Sequence, residues 1–550
     1  MTKRSPLSIL IRALLTIAIW FAIFWFALPA INFASSEFRF WIVVSILIAA
    51  FLLFVPDMKT TLQYFEMKVK KYHYTGPVVE TPRVFVGILA VCAGIIVLSL
   101  VISCVGAPVF NAGAYHGLIE VSDGDFTEDV AEIGMNSIPV VDRATAIRLG
   151  SRKLGEISDM ISQFEIETDY TQINYKGVPT RVTPLVYADP IRWLYNMRDG
   201  IPAYITVNLV TQETDLVRLD NGIKYSRGDY FMRNIDRYLR FNYPTKIFDE
   251  ISFEIDDNGV PYWVAPTINY EIMLWSGKNI NGAVLVNAVT GESKYYPFDE
   301  IPSWVDQVCI SDLVIQQLNY YGLYGSGFIN SIFGQRGVLA TTEGYNYLAL
   351  DDDVYLYTGL TSVLSDESNI GFVLVNLRTK ETKFYTVPGA EEYSAMSSAE
   401  GQVQNLKYKA TFPILLNIAG RPTYFLSLKD NAELVKMYAF VDVEQYQIVA
   451  TGVSVAEAQK NYVEKLKSAD VDADIGNSAE TNAQGAVSAL SPVVISGTTG
   501  YYFKMEGDEA IYFASITVSD RLAFLSSGDQ VEVNYTEVDG LREVTEIIWK

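Results

Sequence analysis

The sequence predicts three N-terminal transmembrane helices followed by tandem α+β modules, each a helix plus an antiparallel sheet, and a C-terminal all-β small barrel. Three observations predict this. Apolar runs occupy residues 7–28, 38–55 and 84–105, a short phrase recurs from Val207 onward, and dense alternation of apolar and polar residues returns after residue 493.

Each apolar run approaches or exceeds the roughly 17 to 25 residues a helix needs to cross a bilayer. Trp20, Trp25 and Trp41 suit the membrane interface, and Arg12 and Arg39 sit where a cation can snorkel. The first run is long, lacks a small-residue cleavage site and is followed by two more, so it reads as a retained anchor and not a signal peptide. Lys3 and Arg4 precede the first span, and Lys59, Lys68, Lys70, Lys71 and Arg83 crowd the connection between the second and third, whereas the first connection holds only Arg39. By the positive-inside rule the N-terminus and residues 57–82 are expected in the cytoplasm, and everything after Val105 outside the cell.

Charge divides the same way. Residues 1–105 carry a net +5, and the remainder, with 33 basic and 60 acidic groups, carries −27. So acidic a region repels polyphosphates, and nucleic acid is not an expected partner. Cys92 and Cys104 fall in the third span, which leaves Cys309 alone beyond it, so the exterior region has no intrachain disulfide framework. With only His73 and His116 in the chain, zinc chemistry of the usual His/Cys kind is not expected either.

The phrase runs Val207-Asn208-Leu209-Val210-Thr211-Gln212-Glu213-Thr214, returns as Val286-Asn287-Ala288-Val289-Thr290-Gly291-Glu292-Ser293 and again as Val375-Asn376-Leu377-Arg378-Thr379-Lys380-Glu381-Thr382, with a degenerate copy from Val441-Asp442. Apolar residues lead in and a Thr-Gly-Glu-like turn follows, the pattern of a β-hairpin. Turn-then-strand elements precede the copies at Gly177-Val178-Pro179, Gly259-Val260-Pro261, Gly344-Tyr345-Asn346 and Gly420-Arg421-Pro422. Helical periodicity accompanies them. Asp142 can cap a helix with Ile147, Leu154, Ile157 and Ile161 on one face, Phe231, Ile235, Tyr238 and Leu239 share another, and Ser454 can cap a third with Val455, Ala458, Tyr462 and Leu466. Modules are therefore expected over residues 109–220, 221–300, 301–390 and 391–467.

A helix, a Gly-Xaa-Pro-led strand and a Val-Asn-Xaa-Xaa-Thr-Gly-Glu hairpin together resemble the PepSY domain, and Val286 to Glu292 match it best. The resemblance covers about residues 140–466 in four degenerate copies. It implies extracytoplasmic interaction or inhibitory modules with no catalytic residues to carry over.

Residues 468–492 turn small and polar and read as a flexible linker. Beyond them, five apolar stretches, around Val493, Tyr501, Ile511, Gln530 and Val544, with a Ser527-Gly528-Asp529 turn, resemble an OB-like barrel. Another small barrel or sandwich fits as well, and ten acidic against four basic residues argue against oligonucleotide binding there.

Candidate chemistry is sparse. Asp351-Asp352-Asp353 and the group Asp123, Asp125 and Asp129 offer hard oxygen ligands but lack EF-hand spacing, so solvated loops are expected. Tyr320, Tyr321, Tyr324 and Phe328 lie in a Gly/Tyr-rich insertion suited to a partner-contact loop, with a packed connector as the alternative. The repeated Thr211, Thr290 and Thr379 are assigned to turn conformation. No nucleophile, hydrolase or phosphate-loop motif occurs, so no catalytic residue, metal or cofactor is expected. The expected function is binding, scaffolding or regulation in a bacterial cell envelope. The bilayer and an envelope protein or peptide are the expected partners, and exposed strand edges are available to a peptide. The alternative is a hydrolase of envelope polymers using paired carboxylates, or an accessory subunit of a membrane transport or assembly complex.

Overall fold

The structure, a computed structural model, describes residues 6–54, 83–132, 138–156, 160, 162–362, 368–469, 481–495, 498–508, 510–516, 518–538 and 541–550. Three apolar helices open the chain: α1 (Pro6–Ala27), α2 (Ser36–Phe54) and α3 (Arg83–Val105). Two of them, over Leu10–Ala27 and Val86–Val105, are long and apolar enough to cross a membrane by length and composition. The Trp20 indole donates to the Ser45 carbonyl at 2.9 Å, tying α1 to α2. The basic residues from Lys59 to Lys71, with Lys3 and Arg4, lie outside the described residues. A further helix, α4 (Pro108–His116), leads into the modules.

Four sheets follow, and each carries the same topology. The first module has α5 (Arg143–Gly155) and strands β1 (Phe164–Ile166), β2 (Thr171–Tyr175), β3 (Val178–Tyr187), β4 (Ile201–Asn208) and β5 (Thr214–Ile223). The second has α6 (Ile235–Asn242) and β6 (Ile247–Phe248), β7 (Ser252–Ile255), β8 (Pro261–Ile272), β9 (Ser276–Asn287) and β10 (Ser293–Pro297). The third has α7 (Ser311–Tyr324) and β11 (Leu339–Thr341), β12 (Asn346–Leu350), β13 (Asp353–Ser362), β14 (Ser368–Asn376) and β15 (Thr382–Tyr385). The fourth has α8 (Glu392–Gln402), β16 (Lys409–Ala410), β17 (Ile414–Ile418), β18 (Arg421–Lys429), β19 (Val435–Asp442) and β20 (Val449–Gly452), and α9 (Val455–Ser468) after them. In every module the third strand pairs with the first, second and fourth, and the fourth pairs with the fifth, all antiparallel.

The repeated phrase builds the turn between the fourth and fifth strands. In the first three copies the Asn side-chain oxygen accepts two backbone N–H groups, from Val210 and Thr211, from Val289 and Thr290, and from Arg378 and Thr379, at 2.8–3.0 Å. The Thr hydroxyl then accepts the Glu N–H two residues on, at 3.2–3.3 Å. The residue between them is left-handed in all three, with φ of 64° at Gln212, 76° at Gly291 and 63° at Lys380. The residue after the Asn or Asp ties the turn to the strand before it: Leu209, Ala288, Leu377 and Val443 donate to the carbonyls of Pro179, Pro261, Val354 and Pro422. Their own carbonyls accept from the segment ahead of each module's helix, at Val140, Lys224, Val308 and Ala390.

Three expectations require correction. In the third module the turn equivalent to Gly177-Val178-Pro179 is Asp352-Asp353-Val354, because the Val354 carbonyl accepts the bond that the Pro179 carbonyl accepts in the first, and the left-handed residue before it is Asp351, with φ of 54°, as it is Lys176, with φ of 55°, in the first. Gly344 opens the preceding strand instead. Phe231 precedes α6 and is 64% exposed, since its φ of 52° breaks the helix before it begins. The stretch read as a linker to Pro492 is strand from Thr481 onward, its small residues Gly485 and Ala486 lying flat against Val531 and Gln530 of a neighbouring strand; residues 470–480 lie outside the described residues, as do Ile157 and Ile161. The capping expectations hold: Asp142 accepts the Thr145 N–H at 2.9 Å and Ser454 accepts the Glu457 N–H at 3.2 Å.

The C-terminal strands are β21 (Thr481–Ile495), β22 (Thr498–Met505), β23 (Tyr512–Ser515), β24 (Gln530–Val538) and β25 (Leu541–Trp549). They pair in the order β21-β22-β23-β25-β24, and β24 also pairs with β21, so each has a partner on both sides. Phe503, Tyr512, Val533 and Leu522 are buried between them.

The second module meets the apolar helices. The Arg240 guanidinium donates to the Leu28 carbonyl at 2.8 Å, Ile31 donates to the Pro244 carbonyl, and Phe241 packs on Phe24 and Trp25. The Trp275 indole donates to Ser103 in α3 at 2.9 Å, and Arg39 lies over the Trp275 ring.

Candidate functional site: a cavity where the four modules meet

The second strand of each module lies at the junction between modules. Thr171 accepts the Phe253 N–H, Asn174 donates to the Asp351 carbonyl and Asn346 to the Pro413 carbonyl, so β7 is linked to β2, β2 to the end of β12, and β12 to the start of β17. The first and fourth modules also touch, through Lys429 on Asp142 at 2.6 Å. A cavity of about 740 Å³ remains among these strands, with walls from all four modules, including Gln172, Ser252, Tyr347 and Phe412. Its volume falls within the roughly 300–1,000 Å³ of small-molecule sites.

Register identifies the most unusual residue in its wall. Opposite the valine of the repeated phrase stand Arg181 (across from Val207), Trp263 (Val286), Leu356 (Val375) and Tyr424 (Val441). In three modules this place holds a large, buried core side chain. The Trp263 and Tyr424 polar atoms each donate to a backbone carbonyl, of Tyr225 and Ala390. In the first module the same place holds a guanidinium that is 7% exposed, lines the cavity and has no ion pair among the described residues, and its Nε has no hydrogen-bond partner. Burial pushes its pKa down to about 10. An uncompensated buried cation costs several kcal/mol, on the order of 3–5 when a partner is missing.

One helix N-terminus also lines the cavity, and its first turn carries the Asp312 carboxylate. The first turn of α7 lines the cavity at Ser311 and Asp312, and its capping residue, Ile310, makes no side-chain bond to the helix N–H groups. Ser311 and Tyr347 hydroxyls lie 2.8 Å apart. The Tyr170 hydroxyl, also in the wall, is buried without a partner. On the acidic side, Asp142 is engaged by Lys429, and Asp169 by Arg143 and Arg227 at 3.1 Å. Glu250 and Asp312 have no ion pair among the described residues, and burial, with Asp169 and Asp312 nearby, raises the Glu250 pKa. The wall thus presents one unpaired cation and two unpaired carboxylates.

A second charged cluster lies beside the cavity. Glu254 and Asp306 are both buried; Glu254 accepts the N–H groups of Asp306 and Gln307 and the Ser252 hydroxyl, and Asp306 accepts the Asn174 N–H at 2.7 Å. Neither lines the cavity. Their bonds join modules one, two and three.

The residues singled out from sequence lie elsewhere. Tyr320, Tyr321 and Tyr324 belong to α7, one turn of a helix where a loop is expected, and pack on α4: Tyr320 meets Tyr115 at 4.8 Å and Tyr321 stacks on His116 at 4.6 Å. Phe328 follows the helix and stacks on Tyr324. The apolar period of Leu313, Leu318 and Tyr321 carries the helix through Gly322, where a Cβ would run into the Leu339 carbonyl. Asp353 is held by Arg378 and Asn376, Asp125 caps a short helix over Phe126–Asp129, and Asp129 pairs with Lys383 at 2.7 Å. Among the described residues no group of three or more His, Cys, Asp or Glu side chains is placed to hold a metal. Sequence reading missed Arg181, although aligning the turns at Gly177, Gly259 and Gly420 sets it in line with Trp263 and Tyr424. No protein-family model matches the chain, and no curated protein is significantly similar to it.

Proposed function

We propose that the protein is a membrane-anchored, extracytoplasmic binding protein of a bacterial cell envelope that works without catalysis, built from four PepSY-like modules and a C-terminal OB-like barrel. The observation that carries it is the cavity itself: the modules repeat one topology, and the wall where they meet does not repeat. Duplication with divergence at the junction is how a scaffold acquires a binding site without new machinery. The connection after α1 and the end of α3 both touch the second module, which suits three spans with the basic connection on the opposite side of the membrane. Exposed Phe231, whose carbonyl accepts from the Arg237 that covers Trp25, suits the headgroup layer. Five strands each flanked on both sides suit an OB-like barrel.

The hydrolase reading has one observation in its favour, the close buried pair Glu254 and Asp306, but hydrogen bonds hold both away from the cavity wall. The extracytoplasmic placement on which this reading rests is tested on intact cells with single-cysteine variants at residues 70 and 430 and a membrane-impermeant maleimide. Labelling at 430 and protection at 70 is expected; the reverse pattern overturns the topology.

A further inference from the structure

We infer that the cavity is a site for a short zwitterionic ligand, a peptide with free ends or an amino acid, whose carboxylate meets Arg181 and the N-terminus of α7 and whose ammonium meets Glu250 and Asp312. The inference rests on the binding reading above and adds what is bound.

Four observations converge. Arg181 occupies a place where the other three modules carry Trp263, Leu356 and Tyr424, so the fold does not require a cation there. A guanidinium presents a planar fork that fits a carboxylate, and burial strengthens that bond by excluding water. The α7 first turn adds uncapped N–H groups and the positive end of a 14-residue helix beside it. The remaining unpaired charges of the wall, Glu250 and Asp312, are both acidic, and both residues are exposed. A polyanion would be repelled by these carboxylates, and a simple cation by Arg181. A ligand bearing one charge of each sign satisfies both ends. The other charged side chains in the wall, Asp142, Arg143 and Asp169, are already engaged.

The test is calorimetric titration of the full chain in lipid nanodiscs with glycine, tri-alanine, N-acetyl-tri-alanine, tri-alanine amide and inorganic phosphate. At least one zwitterion is expected to bind, and blocking either end of tri-alanine to weaken binding by about tenfold or more, the scale of one charge-assisted hydrogen bond. Arg181→Leu, which installs the third module's residue type, is expected to abolish binding while leaving the unfolding midpoint equal or higher. Glu250→Gln, at an exposed position, should weaken tri-alanine and leave the acetylated peptide unchanged. Binding by neither zwitterion, binding indifferent to both substitutions, or tighter binding of phosphate overturns the inference. The cysteine-labelling experiment reads topology alone, so failure of one leaves the other standing.

Discussion

A carboxylate oxygen of Glu254, in the second module, accepts the backbone N–H of Asp306, at the start of the third, at 2.9 Å. Two carboxyl groups thus share one buried junction. Burial disfavours charge on both; Glu254 is raised to about 7 and Asp306 well above its ordinary range, the latter further by the Glu254 charge beside it.

A pH dependence follows from the direction of these shifts. Groups whose pKa is raised by folding bind protons more tightly in the folded state, so their stabilisation is complete below the ordinary value near 4.5 and is lost as pH rises through about 7. The unfolding midpoint is expected to fall across that window, and Glu254→Gln to flatten the fall. The two profiles are compared by thermal unfolding at both ends of the range. An unchanged pH profile in the variant would contradict this origin.

The repeated turn predicts a contrast between its copies. Gln212 and Lys380 both carry left-handed backbones, a strain of about 1 kcal/mol that glycine relieves. Gln212→Gly is therefore expected to be close to neutral, because the relief of strain is offset by glycine's own entropy cost and by loss of the Gln212 side chain's hydrogen bond to Tyr438. Lys380→Gly should destabilise instead, because Nζ donates to the Leu118 carbonyl and to Asn279 at 2.7 Å. Gly291→Ala should cost more than about 1 kcal/mol, since a Cβ there runs into the Tyr225 ring as well as facing a positive φ. Denaturant unfolding ranks the three.

In the fourth copy Asp442 replaces the asparagine and brings Arg421, which it meets at 2.7 Å while wholly buried. Arg421→Met strands that carboxylate and is expected to cost about 3–5 kcal/mol. Adding Asp442→Asn should recover most of the loss, because an amide can still accept the Gln445 N–H that Asp442 holds at 2.7 Å. A double-mutant cycle with no coupling would show that the pair is incidental.

Phe231→Trp tests the edge proposed to face the membrane. Its indole, in nanodiscs with lipids brominated near the headgroup, is expected to be quenched relative to unbrominated lipid, whereas a Trp placed at exposed Tyr446 should not be.

The legible share of this architecture is the share written in local chemistry. Caps at Asp142 and Ser454 and the Asn-to-Thr turns bond within four residues of themselves, so their residue types suffice to predict them. The helix over Tyr320 and Tyr321 was obscured by glycines that packing against Leu339 explains, and the early start of β21 by small side chains that read as linker. Arg181 is one arginine among many on a strand. Its burial and its lack of a partner depend on contacts from modules two hundred residues away, which no local pattern encodes.

The link between Lys429 and Asp142 joins the last module to the first. A solenoid whose repeats touch only their neighbours can gain or lose a unit at little cost. Here a fifth copy would have no place and a missing one would remove a wall, so the count of four is a property of the chamber. Lineages carrying this chain are expected to vary its membrane segment and its terminal strands before they vary that number.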